Sequence, residues 1–264
     1  MSTYVLSDIH GQYIAYEKML KKIGFGKDDY LYVLGDVIDR GPDGIHIIQD
    51  IMKRDNVELL LGNHEYMLLN AIQFLKNKDK DEEESKKNYD GLTPFELWVH
   101  PCNGGEGTCL EFLGLPEKVQ KELLDFLRQQ YLIRRVKIGK TTYHLSHSYS
   151  SKKKFGEGIK VKNLSHERAE EIVWESIFDK PADAISSEKL FAYSRDVYVV
   201  GHILTQRLGH MDENGKGMIY RSDNYRGYKV IDVDCGMALN SRSSRLGCLC
   251  LETQEEFYVP LLED

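Results

Sequence analysis

No apolar run in the sequence approaches the ~20 residues that a membrane-spanning helix requires. Basic residues are not in excess either: 35 Lys and Arg stand against 42 Asp and Glu, a net charge of −7. A dedicated nucleic-acid binder normally offers phosphate a basic face, so nucleic acid is not expected as a partner, and neither is a membrane. Small phosphorylated substrates stay compatible with this charge, because a bound metal reverses the local sign at a site. Cysteines are few and odd in number (Cys102, Cys109, Cys235, Cys248 and Cys250), with no CxxC pair. Cys248 and Cys250 alternate onto one face of an expected strand, where core packing is the better reading. The first residues, Met1 to Leu6, carry no basic n-region or apolar h-region, so a reduced, cytoplasmic location is expected. Linkers and internal repeats are absent as well, and one domain over 1–264 is expected. With 41% hydrophobic and 29% charged residues, the 264-residue chain has the balance of an ordinary globular protein.

Short apolar runs at Tyr4–Ser7, Tyr30–Leu34 and Val57–Leu61 predict three strands. Apolar residues at helical spacing predict helices over Gln12–Ile23 and Gly44–Met52, and a further helix runs from near Glu65 to about Leu75. This β-α-β-α-β order predicts a parallel sheet with right-handed crossovers. Lys76–Asn88 reads KNKDKDEEESKKN, a solvated charge run. Gly91 to Gln130 is mostly helical, with Pro116 opening a helix at Glu117–Gln129. Residues 76–130 are therefore expected to form a cap-like insertion. Strands are predicted at Ile133–Ile138, Thr142–Leu145, Val197–Val200, Lys229–Val233, Leu246–Leu251 and Glu256–Val259, with a helix at His166–Ile177 between them. The second half is expected to be richer in antiparallel strands. The fold class is α/β, with two mixed sheets packed face to face and helices outside.

Each early strand ends in a polar cluster: Asp8-Ile9-His10-Gly11, then Gly35-Asp36-Val37-Ile38-Asp39-Arg40-Gly41-Pro42, then Gly62-Asn63-His64-Glu65. Ligands bind at the carboxyl ends of strands in open parallel sheets, and all three clusters fall there. Carboxylate, imidazole and amide oxygen suit divalent metals. Taken singly, each cluster has a plainer explanation: an Asp or Asn capping the next helix, or a turn held by a structural ion pair. Three such accidents on consecutive strands, all at one end, are improbable.

In these blocks the sequence resembles the phosphoprotein phosphatase branch of the calcineurin-like metallophosphoesterases, bacterial serine/threonine protein phosphatases in particular. That signature is GD-x-HG, GD-x-x-DRG and GNHE; here it reads SDIHG at 7–11, GDVIDRG at 35–41 and GNHE at 62–65, with Ser7 in place of a glycine. HLSHS at 144–148, VVGH at 199–202, Asn103-Gly104-Gly105 with Thr108, and IDVDCG at 231–236 extend the likeness. The resemblance implies two metal ions. Asp8, His10 and Asp36 would hold the first, and Asp36, Asn63, His147 and His202 the second, with Asp36 bridging. Manganese is the expected metal, and iron, zinc, nickel or cobalt would also be accepted. A bridging hydroxide would attack phosphorus, His64 would be the general acid oriented by Asp39, and Arg40 would hold phosphate oxygens.

Of the two histidines in the fourth block, His147 sits at the strand's end like the other ligands, and His144 is read as a hydrogen-bonded sheet residue. Where bacterial protein phosphatases of this kind carry a second phosphate-holding Arg beside a Trp, this chain has Ser176 after Trp174; Arg168, Arg195 or Arg221 would have to substitute. Tyr149 is a candidate for lining the substrate groove, or a half-buried tyrosine with a satisfied hydroxyl. The leading expectation is a serine/threonine protein phosphatase acting on a phosphorylated protein or a small phosphoester. The alternative is a symmetrical dinucleoside polyphosphate hydrolase, against which Glu65 stands, since that group carries GNHD more often than GNHE. A silent binding protein would have lost ligands or the His64–Asp39 pair, and none is lost.

Overall fold

The computed structural model of the protein describes residues 1–77, 91–148, 156–178, 196–225 and 228–262. Its first third alternates as expected: β1 (Thr3–Leu6), α1 (Tyr13–Lys22), β2 (Tyr30–Val33), α2 (Gly44–Ile51), β3 (Val57–Leu59) and α3 (Asn63–Asn77). The strands stop one or two residues short of the predicted ends, because the polar clusters already belong to the turns. Helix α3 starts two residues earlier than predicted, so Asn63 and His64 occupy its first turn. The charged run beyond Asn77 lies outside the described residues, as does Tyr149.

Three helices follow: α4 (Pro94–Val99), α5 (Glu106–Gly114) and α6 (Glu117–Arg128). Thr93 opens α4 with a reciprocal capping box, accepting from Glu96 N while the Glu96 carboxylate accepts from Thr93 N, and Pro94 stands at the first helical position. The chain then builds β4 (Tyr131–Ile138), β5 (Thr141–Ser146), β6 (Gly158–Lys160), α7 (His166–Trp174), β7 (Asp196–Val200), β8 (Tyr220–Tyr225), β9 (Tyr228–Asp232), β10 (Arg245–Cys250) and β11 (Glu256–Pro260). Helix α7 ends three residues before the predicted Ile177.

Two sheets result, ordered β11-β10-β1-β2-β3 and β6-β4-β5-β7-β9-β8. In the first, β1, β2 and β3 are parallel, and β10 joins β1 antiparallel. The second is mixed, as expected, with a parallel centre. There β5, β7 and β9 are parallel to one another, and only β4, β6 and β8 run against their neighbours.

Strand alternation divides the core. Along β1, Tyr4 and Leu6 face the helices with Leu31 and Val33, packing on Tyr16, Met19, Ile45, Ile48 and Leu68. Val5, Tyr32 and Leu34 face the other way, against Tyr143, Leu145, Val199, Ile231 and Val233 of the second sheet. Tyr198, Val200, Tyr228 and Val230 turn outward beneath Ile177 and Phe178. The face-to-face packing of two sheets, with helices outside, holds the carboxyl ends of β1, β2, β3, β5 and β7 in fixed relation. Cys248 and Cys250 are buried in the helix-side core, as their alternation predicts.

Candidate active site

The chain bends sharply as it leaves β1, β2 and β7. Asp8, His10, Asp36, Asp39, Arg40 and His202 all adopt positive φ, between 46° and 71°. This left-handed region costs a non-glycine residue roughly 1 kcal/mol. Strain of this kind persists where surrounding bonds over-determine it, and here they do. His10 N donates to Asp36 O at 2.9 Å, and Asp8 N to Gly35 O at 3.0 Å. The Glu65 carboxylate, wholly buried, accepts from the backbone N–H groups of Asp36, Val37, Ile38 and Gly62 at 2.8 to 3.3 Å. Burial and the charge of Asp36 nevertheless push Glu65 up to about 7.

The two sheets meet through His147. Its Nδ1 donates to Leu34 O at 2.8 Å, a carbonyl that also accepts from the buried Ser7 hydroxyl at 3.3 Å. Its Nε2 lies 3.0 Å from Asn63 Oδ1, 3.1 Å from His202 Nδ1 and 3.4 Å from Asp36 Oδ2. His202 follows β7 and donates its backbone N–H to Asp8 Oδ2 at 3.0 Å. His10 points Nδ1 at Ile38 O (3.2 Å), which turns Nε2 towards Asp36 Oδ2 at 3.8 Å and Asp8 Oδ1 at 3.9 Å. His64 Nε2 is 3.8 Å from the same Asp36 oxygen, and its Nδ1–H is held by Asp39 Oδ2 at 2.7 Å.

Asp36 is therefore the hub of two groups of potential metal ligands, His10–Asp36–His64 and Asp36–His147–His202. The second, with Asn63, gathers the residues expected for one ion. In the first, His64 stands with Asp36 and His10 in the place expected of Asp8, whose Oδ1 lies 3.9 Å from His10 Nε2. His64 has Nδ1 committed to Asp39 at 2.7 Å, and its Nε2 lies 3.3 Å from the Arg40 guanidinium. The donor set fits divalent cations: carboxylate, amide oxygen and imidazole nitrogens converge, with the outer ring nitrogens of His10 and His147 spent on carbonyls.

Electrostatics point the same way. Burial works against a charge on Asp36, yet His147, His64 and His10 hold it well below the usual carboxylate range. Burial also opposes protonation of His147, but Asp36 and Asp8 outweigh it and raise His147 to about 10. His202 is pushed down to about 3 by burial and by His147 beside it, and His10 is depressed by burial and by His64. Among the protein groups alone, the Asp36 and Asp8 carboxylates are thus met by a proton on His147.

Arg40 lies exposed at the mouth, its guanidinium 3.4 Å from His10 Nε2 and 3.3 Å from His64 Nε2. Ser176 is buried, its hydroxyl accepting from Phe178 N at 3.0 Å. Arg168 pairs with Glu171, and Arg221 with Glu256 and Gln254 on the outer strands, so neither faces the site. Arg195 lies outside the described residues. His144 points to the opposite side of its strand, 3.3 Å from Asp196 Oδ2 and stacked on Tyr198.

Residues 1–206 match the calcineurin-like phosphoesterase family. The chain belongs to that family. Among its curated relatives, a symmetrical bis(5′-nucleosyl)-tetraphosphatase of Buchnera aphidicola (subsp. Acyrthosiphon pisum, strain Tuc7) is 33% identical over 136 residues, 51% of this chain and 40% of the relative. The match thus spans about two fifths of the relative's length. Two solved calcineurin-like folds are similar throughout. One is a candidate diadenosine tetraphosphatase (TM-score 0.55, 16% identity, 98% of this chain and 92% of that one). The other is a protein serine/threonine phosphatase from Saccharomyces cerevisiae (TM-score 0.55, 13% identity, 100% and 81%).

Two contributors to this calcineurin-like site escaped the sequence reading: Trp98, whose indole N–H reaches both oxygens of Asp39, and the Glu65 carboxylate with its four backbone donors. A tryptophan in an apolar helix carries no signal separating it from core. Glu65 was noticed only as part of a motif, although a buried carboxylate always needs donors.

Proposed function

We propose that the protein is a metal-dependent phosphoester hydrolase whose preferred substrate is a dinucleoside polyphosphate cleaved within its phosphate chain. The observation that carries the chemistry is the placing of Asp36 between two imidazole groups, with Arg40 at the mouth. Asp8, His10 and Asp36 hold one divalent ion in this reading, and Asp36, Asn63, His147 and His202 the other. Ions bound there supply positive charge against phosphoryl oxygens and acidify water. Arg40 binds phosphate oxygens through its planar fork. His64 holds a proton at Nε2 for the departing oxygen, with Asp39 fixing its tautomer through Nδ1. We read the chain as one domain, and of the insertion at 76–130 the part from 91 to 130 as a cap to the site; residues 78–90 lie outside the described residues.

The named relatives support the dinucleotide. Arg40 as the single arginine touching the site, among the described residues, supports it too. The nucleoside phosphate that leaves departs through a phosphate oxygen, a weaker base than a serine alkoxide, and asks less of the groups around it. A serine/threonine protein phosphatase is the second reading, favoured by Glu65 in the GNHE block and by the intact His64–Asp39 pair. The test compares hydrolysis of diadenosine tetraphosphate and of a phosphothreonine peptide by manganese-loaded protein. A kcat/KM at least ten-fold higher for the dinucleotide is expected, and the reverse order would establish the protein phosphatase.

A further inference from the structure

Asp39 is wholly buried, and among the described residues no lysine or arginine pairs with it. Its carboxylate receives His64 Nδ1–H at 2.7 Å on Oδ2, and the Trp98 indole N–H at 3.1 Å on Oδ2 and 3.3 Å on Oδ1. Its backbone N–H donates to the buried Thr108 hydroxyl at 3.1 Å. Arg40 N, next along, donates to Gly104 O at 3.2 Å. Asn103 Nδ2 ties this turn back to Leu97 O at 2.7 Å. A β-carbon on Gly105 would lie 2.7 Å from Trp98 Nε1 and Cδ1, so only glycine lets the indole sit where it does. The string Trp98…Asn103-Gly104-Gly105…Thr108 thus grips one corner, Asp39–Arg40, at every point.

We propose that Trp98 is a positioning residue for the reaction: its indole N–H, shared by both oxygens of Asp39, fixes the carboxylate in the orientation that holds His64. The α4–α5 segment contributes to turnover through this hydrogen bond, and not only by covering the core. A carboxylate with a single partner rotates about its terminal torsion, which is broad. The second, bifurcated donor removes that freedom and keeps His64 aimed at the departing oxygen. The inference rests on His64 acting as the acid in the reading above.

Trp98→Phe keeps the ring and loses the N–H. With aryl phosphates of graded leaving-group basicity and manganese-loaded protein, kcat for phenyl phosphate is expected to fall roughly ten-fold at unchanged KM, part of the 10²–10⁴ that a positioned acid supplies. For p-nitrophenyl phosphate, whose leaving group needs no proton, kcat should stay within about two-fold. An equal fall for both, or a fall for neither while His64→Asn shows the graded loss, overturns the proposal. Where His64→Asn shows no graded loss, the acid reading fails instead, and a second measurement decides Trp98. In ¹H–¹⁵N spectra of the metal-stripped protein, with the second indole removed by Trp174→Phe, the Trp98 N–H resonance should lie downfield and move upfield in Asp39→Asn. An unchanged resonance overturns the proposal, whatever the kinetics.

Discussion

At the scale of single residues, the site depends on atoms that have no room to be anything else. A β-carbon on Gly62 would overlap Asp36 Oδ1 and lie 2.7 Å from Asp36 N. Gly62→Ala must therefore displace the hub carboxylate or the strand end beside it. A loss of roughly 1–3 kcal/mol is expected, with loss of activity at temperatures where the variant is still folded. Urea denaturation read against turnover checks both, and a fully active Gly62→Ala would show that the Asp36 corner yields more easily than its packing implies. The residues around this corner were legible in the sequence because polar side chains straight after apolar strands are conspicuous. Trp98 was not, since nothing in a linear pattern distinguishes an indole that donates to Asp39 from one that only fills space.

At the scale of elements, the β-α-β-α-β start was legible because helical and strand periodicities alternate cleanly. The second sheet was harder. Strand β8 reads YRSDNY, polar at most positions because it lies at a sheet edge, with Arg221, Asp223 and Asn224 exposed and the others partly buried. The parallel centre formed by β5, β7 and β9 was also missed, since a strand's own residues do not record its neighbour's direction. That centre is what sends His147 and His202 out at one edge, and it fixes His144 on the opposite face. Burial depresses the pKa of His144, with Asp196 only partly offsetting it. The unfolded chain takes up a proton near the ordinary histidine value, and the folded chain resists it. Stability is therefore present above that value and lost as pH falls through and below it. Denaturation at pH 7.5 and 5.5 should show a smaller acid loss in His144→Phe, which retains stacking on Tyr198; an equal loss would place the acid sensitivity elsewhere.

At the scale of the whole molecule, the proposed ligand set crosses the sandwich. Asp8, His10, Asp36 and Asn63 belong to one sheet, and His147 and His202 to the other. An ion bound between them stabilises the folded protein against a chain that has no such site. At a free metal concentration near 100 times the dissociation constant, that is about 2.7 kcal/mol, or roughly 5–10 °C for a chain of this size. Scanning calorimetry with manganese and with chelator should show this difference, and coincident transitions would mean that the ions add nothing to the packing. Among the described residues no helix is long and apolar enough to cross a membrane.

The position of β1 within its sheet has a consequence for biosynthesis. This strand lies between β2, which follows it closely in the chain, and β10, whose residues 245–250 are made long after it. His202 must also arrive before the ligand set is whole. A nascent chain therefore carries Asp8 and His10 without His202 until that residue is made, and without their neighbour strand until residues 245–250 follow. Closure of the first sheet waits for those residues, and a pause in synthesis before residue 245 leaves the flank of β1 open to any other strand edge within reach.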